Sequence, residues 1–465
     1  MNVLLIQQDM GRRVIKYPMY PIGLSYLAAV IKNKNHRVKI FDPNVYDYPA
    51  CYDYLEEEVR SFNPDVIGIS IRNYDTTQRR DLFVYFNTVI PTIEVVRAIK
   101  PNVKTMVGGT AFSIFARQIM ERYQQIDFGI YLEGEETVCE LLENIDSPQR
   151  VFGLFYRANQ EVVFTGSRRP PDFSSLPAPL RERAVIDMKN YLSPLHNVVG
   201  VQSKRGCIFE CTYCSYLFLN ERKLRLREPS SVVDEIQDMI ENYGVEGFTF
   251  VDSVFNVPES HARDICNELI RRNIKVEWGA WLTPKNLTKD FIMLLKRAGC
   301  RHIGFSPDAA TNEGLKVLKK GFTLKDVEKS LKIARQVDGM AVGYNLFCYY
   351  PGMDFKAVLS TLKFYFKVPL LLPGRGGCGL GWIRIEPHTD IYRRAIEEGI
   401  ITSDTDMMPK DDVELRRLFY VPRLKRHYTW VFDSILFLTD DIIKPMVKEV
   451  FGFLSKIRGK KPFYE

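Results

Sequence analysis

The sequence predicts an α/β chain. A doubly wound parallel sheet occupies residues 1–150, a connector 151–198, a partial barrel of six strand–helix units 199–404, and a helical C-terminal region 405–465. Three observations carry this reading. Short apolar runs of strand type alternate with amphipathic stretches through both halves, the pattern of parallel sheets. Proline-rich polar segments, Arg168-Arg169-Pro170-Pro171-Asp172 and Leu176-Pro177-Ala178-Pro179, separate the two alternations. After about residue 405 the alternation stops.

In the first half, Val3-Leu4-Leu5-Ile6 is a buried-strand run, and Pro21 opens a helix through Ile31. His36–Asp42 alternates like a strand, and Val66–Ile71 follows the turn-like Asn63-Pro64-Asp65. Lys104–Val107 ends at Gly108-Gly109, and Phe128–Tyr131 ends at Glu133-Gly134-Glu135. Ligands of such sheets sit beyond the strands' carboxyl ends. Those ends carry Ser70, Gly108, Gly109, Thr110, Gly134 and Thr137, which taken alone read equally as turn residues. The first strand is followed by no G-x-G-x-x-G, and the chain has no P-loop, so dinucleotide and P-loop nucleotide sites are disfavoured.

In the second half, Val198–Val201 starts the alternation, and a helix opens at Pro229 with Val232, Ile236, Met239, Ile240 and Tyr243 at helical spacing. Gly247–Val251, Val276–Leu282, His302–Ser306, Tyr344–Tyr350 and Gly381–Ile385 read as further strands. Thr288 and Thr323 are placed to cap helices. Six parallel units curl into a full or partial barrel with its site at the strand C-termini. The tail holds a helical run from Trp430 to Phe453 ending in basic Lys456–Lys461. It reads as a cap on the barrel, or as a contact with a membrane surface.

Composition excludes much. Apolar residues are 46% and charged residues 26% of 465, ordinary for a globular chain, and no run is long enough to span a membrane. The net charge of +7 is too mild to argue nucleic acid, and no RNA-binding module is evident. The N-terminus turns polar at Gln7-Gln8-Asp9, unlike a signal peptide. Nine cysteines, mostly inside apolar segments, argue for a reducing cytoplasm.

The chemistry-bearing segment is Arg205-Gly206-Cys207-Ile208-Phe209-Glu210-Cys211-Thr212-Tyr213-Cys214-Ser215. Three thiolates in one loop after a strand can hold three irons of a [4Fe–4S] cluster and leave the fourth open to a non-protein ligand. Zinc would want a fourth Cys or His at finger-like spacing, and none is near.

Cys207-x3-Cys211-x2-Cys214 resembles the signature of the radical SAM superfamily. Arg225–Ser230, Val233–Ile236, Phe250–Ser253, Gly304–Asp308, Leu318–Gly321, Pro351-Gly352 and Pro387–Tyr392 are similar to its subfamily with an N-terminal cobalamin-binding domain. So are Pro21–Leu24, Asn63–Ser70, Gly108-Gly109 and Gly134–Thr137, a resemblance that implies a Rossmann-like domain of cobalamin-binding type for the first sheet. The subfamily includes cobalamin-dependent methyltransferases, the anaerobic magnesium-protoporphyrin ester cyclase and ring-contracting enzymes.

The resemblance implies that the cluster binds S-adenosylmethionine (SAM) and cleaves it to a 5′-deoxyadenosyl radical. A methyl group carried on cobalamin would then reach an unactivated carbon of a small molecule or lipid; cyclisation or rearrangement is the rival outcome. Tyr213 matches the position bordering the SAM adenine, and Asp252, Ser306 and Asp308 are candidate SAM contacts. The Ser70–Thr137 set becomes the candidate cobalamin contacts. A flavodoxin or ferredoxin would supply the electron. The D-x-H-x-x-G motif that supplies a histidine to cobalt is absent, which leaves room for a domain without cobalamin. Cys348, Cys378 and His388 lie near later strand ends, and Trp278, Trp281, Trp382, Tyr349 and Tyr350 line a cavity or fill the core. A non-catalytic carrier or electron-transfer module is the rival class, though electron transfer alone normally takes four protein ligands.

Overall fold

The computed structural model describes residues 1–10, 18–192 and 198–422 and positions 434, 435 and 438. The predicted helix from Trp430 to Phe453, its basic end, His196 and His427 fall outside them, apart from those three isolated positions. The chain forms two compact units. The first comprises Met1–Ile208, Ser215–Val251 and Asp406–Arg417; the second comprises Phe209–Cys214, Asp252–Thr405 and the described residues from Leu418 on.

The first sheet has seven strands: β1 Asn2–Gln7, β2 Arg37–Phe41, β3 Val66–Ser70, β4 Lys104–Gly108, β5 Phe128–Ile130, β6 Leu154–Ala158 and β7 Glu161–Phe164. Their order is β2-β1-β3-β4-β5-β6-β7, parallel through β5. Val3, Leu4, Leu5 and Ile6 of the central strand are all at most 1% exposed, because helices cover both faces of such a sheet. The chain goes from β1 outward to β2 and then returns to β3 on the other side. The order therefore reverses between β1 and β3, and a crevice opens at their carboxyl ends.

The strands β6 and β7 were not foreseen; they arise inside the stretch read as a connector. They pair antiparallel, β6 also on β5, around a two-residue turn in which Asn159 and Gln160 both have positive φ. Such turns match the strand twist, and Asn supplies the signal.

Also in this unit, β8 Gly200–Val201 pairs in parallel with β11 Gly247–Phe250, and β9 Lys204–Arg205 in antiparallel with β10 Arg225–Leu226. Helix Pro229–Tyr243 opens on proline and stops at Gly244 in the left-handed conformation. A buried triad anchors this helix to the connector: Glu235 receives Arg181 at 2.6 Å and Arg227 at 2.5 Å, and Arg227 also donates to the Tyr26 hydroxyl at 3.3 Å.

The second unit is built on β12 Glu277–Leu282, β13 Cys300–Asp308, β14 Ala341–Phe347 and β15 Gly376–Gly381, all parallel. Thr288 caps helix Lys289–Arg297, and Thr323 closes a capping box with Asp326 on helix Leu324–Arg335, as their sequence positions predict. The last strand differs from expectation. It is Gly376–Gly381, Gly-Gly-Cys-Gly-Leu-Gly, and meets the expected Gly381–Ile385 only at Gly381, which pairs with Phe347; beyond it Arg384 forms an isolated bridge to Phe419. Glycine is poor strand material, so the apolar run after it outbid it in the sequence.

Val342, Tyr344 and Leu346 of β14 are buried under the helices; Tyr344 bonds Ser330 at 2.8 Å and packs on Phe305 and Phe364. The alternate residues face the opposite, open side. There Trp281, Gly304, Gly343 and Gly377 stand in one register row across four strands.

Candidate functional site

In the first unit, a cleft with about 650 Å³ of empty space lies at the strand carboxyl ends. Leu5, Gly68, Ser70, Met106 and Gly108 border it from β1, β3 and β4, and Gly109 from just past β4. Gly23, Leu24 and Leu27 of helix Ile22–Asn33 form another wall, and Glu133, Gly134, Glu135 and Arg205 complete it. Two of these positions require glycine. A Cβ on Gly68 would stand 2.6 Å from Met106 Cε, and one on Gly109, at φ +100°, 2.7 Å from the Ile71 carbonyl oxygen.

Of the predicted strand-end residues, Ser70, Gly108, Gly109 and Gly134 border the cleft. Thr110 begins helix Thr110–Arg122, and Thr137 is fully buried and donates to the Phe152 carbonyl at 3.1 Å, where it holds the next turn of chain. Sequence reasoning missed Gly23, Gly68, Glu133, Glu135 and Arg205. The acidic pair stands in the Glu-Gly-Glu segment already marked as a strand end, so that signal was present; Arg205 comes from 70 residues away and had none.

Glu133 receives Arg205 at 2.8 Å and Arg225 at 2.9 Å, and Glu135 receives Arg205 at 2.6 Å. Burial alone would raise the Glu133 pKa, but the two guanidinium groups hold it below the usual carboxylate range.

The cysteine loop follows β9. Of the nine cysteines, Cys207, Cys211 and Cys214 are the three that are not buried, which suits thiolates meeting a ligand. Cys348 and Cys378 are buried on or beside strands, as small core residues. In the second unit, the loop is pinned where the Thr212 amide donates to the Leu318 carbonyl at 3.2 Å and the Ile391 amide to the Thr212 carbonyl at 2.8 Å.

Beside the loop, Tyr213, Asp308 and Lys320 form a compact polar group. The Tyr213 hydroxyl donates to Asp308, and Lys320 Nζ reaches Asp308 Oδ2 at 2.5 Å and the Tyr213 hydroxyl at 3.0 Å. Asp308 and Lys320 are 3% and 6% exposed, so the pair is desolvated. Asp308 holds φ +65°, a conformation non-glycine residues take at functional sites and turns. Burial works against the Lys320 ammonium, yet its pKa is raised, because Asp308 and the thiols of Cys211 and Cys214 favour the charge. Burial, then Asp308, pushes the Tyr213 phenol well up. The structure thus brings Tyr213 and Asp308 together and adds Lys320, which the Lys319-Lys320-Gly321 segment contained without marking. Ser306 is half-buried on β13, and Asp252 is buried just after β11. His388 is exposed at φ +62°.

On the open face of β12–β15, the Trp281 indole lies across Gly304, whose Cβ would come within 2.5 Å of it. Gly343 and Gly377, next in the row, have nothing within 4 Å of a Cβ. Trp281 is 42% exposed, whereas Trp278, Trp382, Tyr349 and Tyr350 are core residues, as the alternate reading had it.

Residues 10–142 match the B12 binding domain family, and residues 201–365 match the radical SAM superfamily. The chain thus combines a B12-binding domain with a radical SAM domain. It is 27% identical over 330 residues to the anaerobic magnesium-protoporphyrin IX monomethyl ester cyclase of Cereibacter sphaeroides, covering 68% of this chain and 52% of that protein. The chain therefore spans about half the length of that cyclase. It is 24% identical over 459 residues to the cytidylyl-2-hydroxyethylphosphonate methyltransferase of Streptomyces wedmorensis, covering 82% of each. Its fold is shared with the radical SAM methyltransferase TsrM of Kitasatospora setae: TM-score 0.71, 22% identity, 85% of this chain and 76% of that one.

A second TsrM structure, 20% identical to this chain, holds cobalamin and a [4Fe–4S] cluster, and the residues present here fit such groups. Three accessible thiols suit the cluster. For cobalamin there is a glycine-walled cleft, and one polar atom of its wall, Oε2 of Glu135, is buried without a partner. The single histidine of residues 1–150, His36, bonds the N-terminal amine at 3.2 Å near the start of β2 and not at the strand carboxyl ends. Among the described residues no helix is long and apolar enough to cross a membrane.

Proposed function

We propose that the protein is a cobalamin-dependent radical SAM C-methyltransferase acting on a small molecule or lipid. The observation that carries this is the pairing, in one chain, of the glycine-walled cleft with a three-cysteine loop that leaves room for a non-protein ligand. When bound, the cofactors supply reductive SAM cleavage and methyl carriage; the chain positions and shields them.

In this reading Cys207, Cys211 and Cys214 hold the cluster. Ser70, Gly108, Gly109 and Gly134 receive cobalamin, and Thr110 and Thr137 act by shaping the segments behind them. Tyr213 and Asp308 order the adenosine end of SAM, with Ser306 and Asp252 as further contacts. Lys320 keeps the Asp308 carboxylate charged and oriented. The substrate lies on the glycine row beside Trp281, where the backbone offers a flat floor. A flavodoxin or ferredoxin supplies the electron.

A second reading, radical cyclisation, is favoured by the likeness to the magnesium-protoporphyrin cyclases. Both are decided on anaerobic, reconstituted protein given methyl-labelled SAM, reductant and cobalamin. Methyltransfer yields 5′-deoxyadenosine together with labelled methylcobalamin and, with substrate, labelled product. Deoxyadenosine without a labelled methyl on cobalamin or product defeats the first reading in favour of the second.

A further inference from the structure

Glu135 borders the B12 cleft, is 5% exposed, and uses only one of its carboxylate oxygens: Oε1 receives Arg205 at 2.6 Å, while Oε2 is buried without a partner. A buried acceptor left open costs free energy unless something fills it, so this atom marks where a donor arrives. Corrin rings carry primary amides on their rim, which are such donors.

Arg205 is itself fixed on every side. Its Nε donates to Gln202 at 3.1 Å, its two terminal nitrogens to Glu133 and Glu135, and its guanidinium packs 4.5 Å from the Phe173 ring centre and 5.0 Å from that of Tyr26. The next residue, Gly206, sits at φ +96°, where a Cβ would collide with the Lys223 carbonyl oxygen at 1.8 Å. The residue after that is Cys207, the first cluster cysteine. Arg205 and Gly206, both closely packed, are the only two residues between the Glu135 contact and Cys207.

We propose that Glu135 takes a hydrogen bond from an amide of bound cobalamin and passes the constraint through Arg205 to Cys207, so that filling the cleft steadies the cluster. Glu135 is then a cofactor-binding residue and Arg205 a positioning residue. The proposal rests on cobalamin being the occupant of the cleft.

The test follows loss of cluster absorbance to an iron chelator in reconstituted enzyme, with and without hydroxocobalamin, in wild type, Arg205→Lys and Glu135→Gln. Cobalamin content is measured in parallel, together with the low-temperature EPR spectrum of the reduced cluster. In wild type, cobalamin is expected to slow cluster loss about fivefold or more, the lower end of ordinary coupling between sites, and to alter the EPR signal. Arg205→Lys keeps a charge but loses the planar fork; it should bind cobalamin yet lose the slowing and the EPR change. Glu135→Gln should weaken cobalamin binding and lose them too; it decides alone if Arg205→Lys does not fold. Full slowing retained in the folded variants overturns the relay. Wild type that binds cobalamin without slowing cluster loss also overturns the relay, while the cofactor reading stands. Wild type that binds no cobalamin overturns both.

Discussion

The cleft of the first unit and the polar group of the second are built by opposite means. The cleft is made by omission: Gly23, Gly68, Gly108, Gly109 and Gly134 line it without side chains, and one polar atom of its wall, Glu135 Oε2, is left open. The group beside the cysteine loop is made by crowding: a carboxylate, an ammonium and a phenol share one small buried space and satisfy one another. A cavity tolerates loss of a wall contact but not the addition of atoms. A desolvated charge pair tolerates neither the loss of a partner nor a change of geometry. Substitutions should therefore break the two regions separately.

The largest effect is expected at the loop. Cys214→Ala should abolish formation of 5′-deoxyadenosine, because two thiolates cannot retain a cluster with one open iron. Cobalamin should still bind to the cleft, followed by its absorption spectrum, and be weakened no more than about fivefold by loss of the coupled cluster. Complete loss of both together would show that the regions are not separable.

Next comes Lys320→Met. It leaves Asp308 buried without its cation, which should cost on the order of 3 kcal/mol in denaturant unfolding. The double variant with Asp308→Asn should recover most of that stability and none of the SAM binding. Recovery of binding as well would remove Asp308 from the SAM site.

A smaller, opposite case is Gly23→Leu. Gly23 borders the cleft on a helix, and a Cβ there meets nothing within 4 Å. The side chain enters open space, so cobalamin affinity should fall about tenfold, which corresponds to about 1.4 kcal/mol. The melting temperature should hold or rise, since glycine is a poor helix residue. Unchanged affinity would mean that cobalamin does not reach this wall.

The two regions were also unequally legible in the sequence. The cysteines announce themselves because three thiols at tight spacing have few structural uses, and the strand ends follow from the alternation of apolar runs. Tyr213 and Asp308 stand at a loop and a strand end, and the fold brings them into contact. Lys320 was quoted in a motif without a role, since a lysine near a glycine carries no mark of burial. Arg205 could not be assigned, because its partners Glu133 and Glu135 meet it only after two stretches of chain pack together. Strand β15 was misplaced for the reason that makes the open face useful: its glycines give it little strand character and leave a bare floor. Contacts over long sequence separation and residues chosen for their absence of side chain are the two things a local pattern does not display.

The smallest effect separates the charge network at the cleft wall from the cleft itself. Arg225 and Arg205 hold Glu133 below its ordinary pKa of 4.5. A carboxylate whose folded-state pKa is depressed stabilises the fold above its unfolded pKa, and that contribution is lost as the pH falls through the lowered value. At neutral pH wild type should therefore melt above Glu133→Gln. From about pH 4.5 downward the gap should close, as the wild-type carboxyl also becomes neutral. If the gap stayed constant through that window, Glu133 would act through shape and hydrogen bonding alone, and the wall would owe nothing to its charge. A gap that widened on acidification would reverse the sign and contradict the pairing with Arg205 and Arg225.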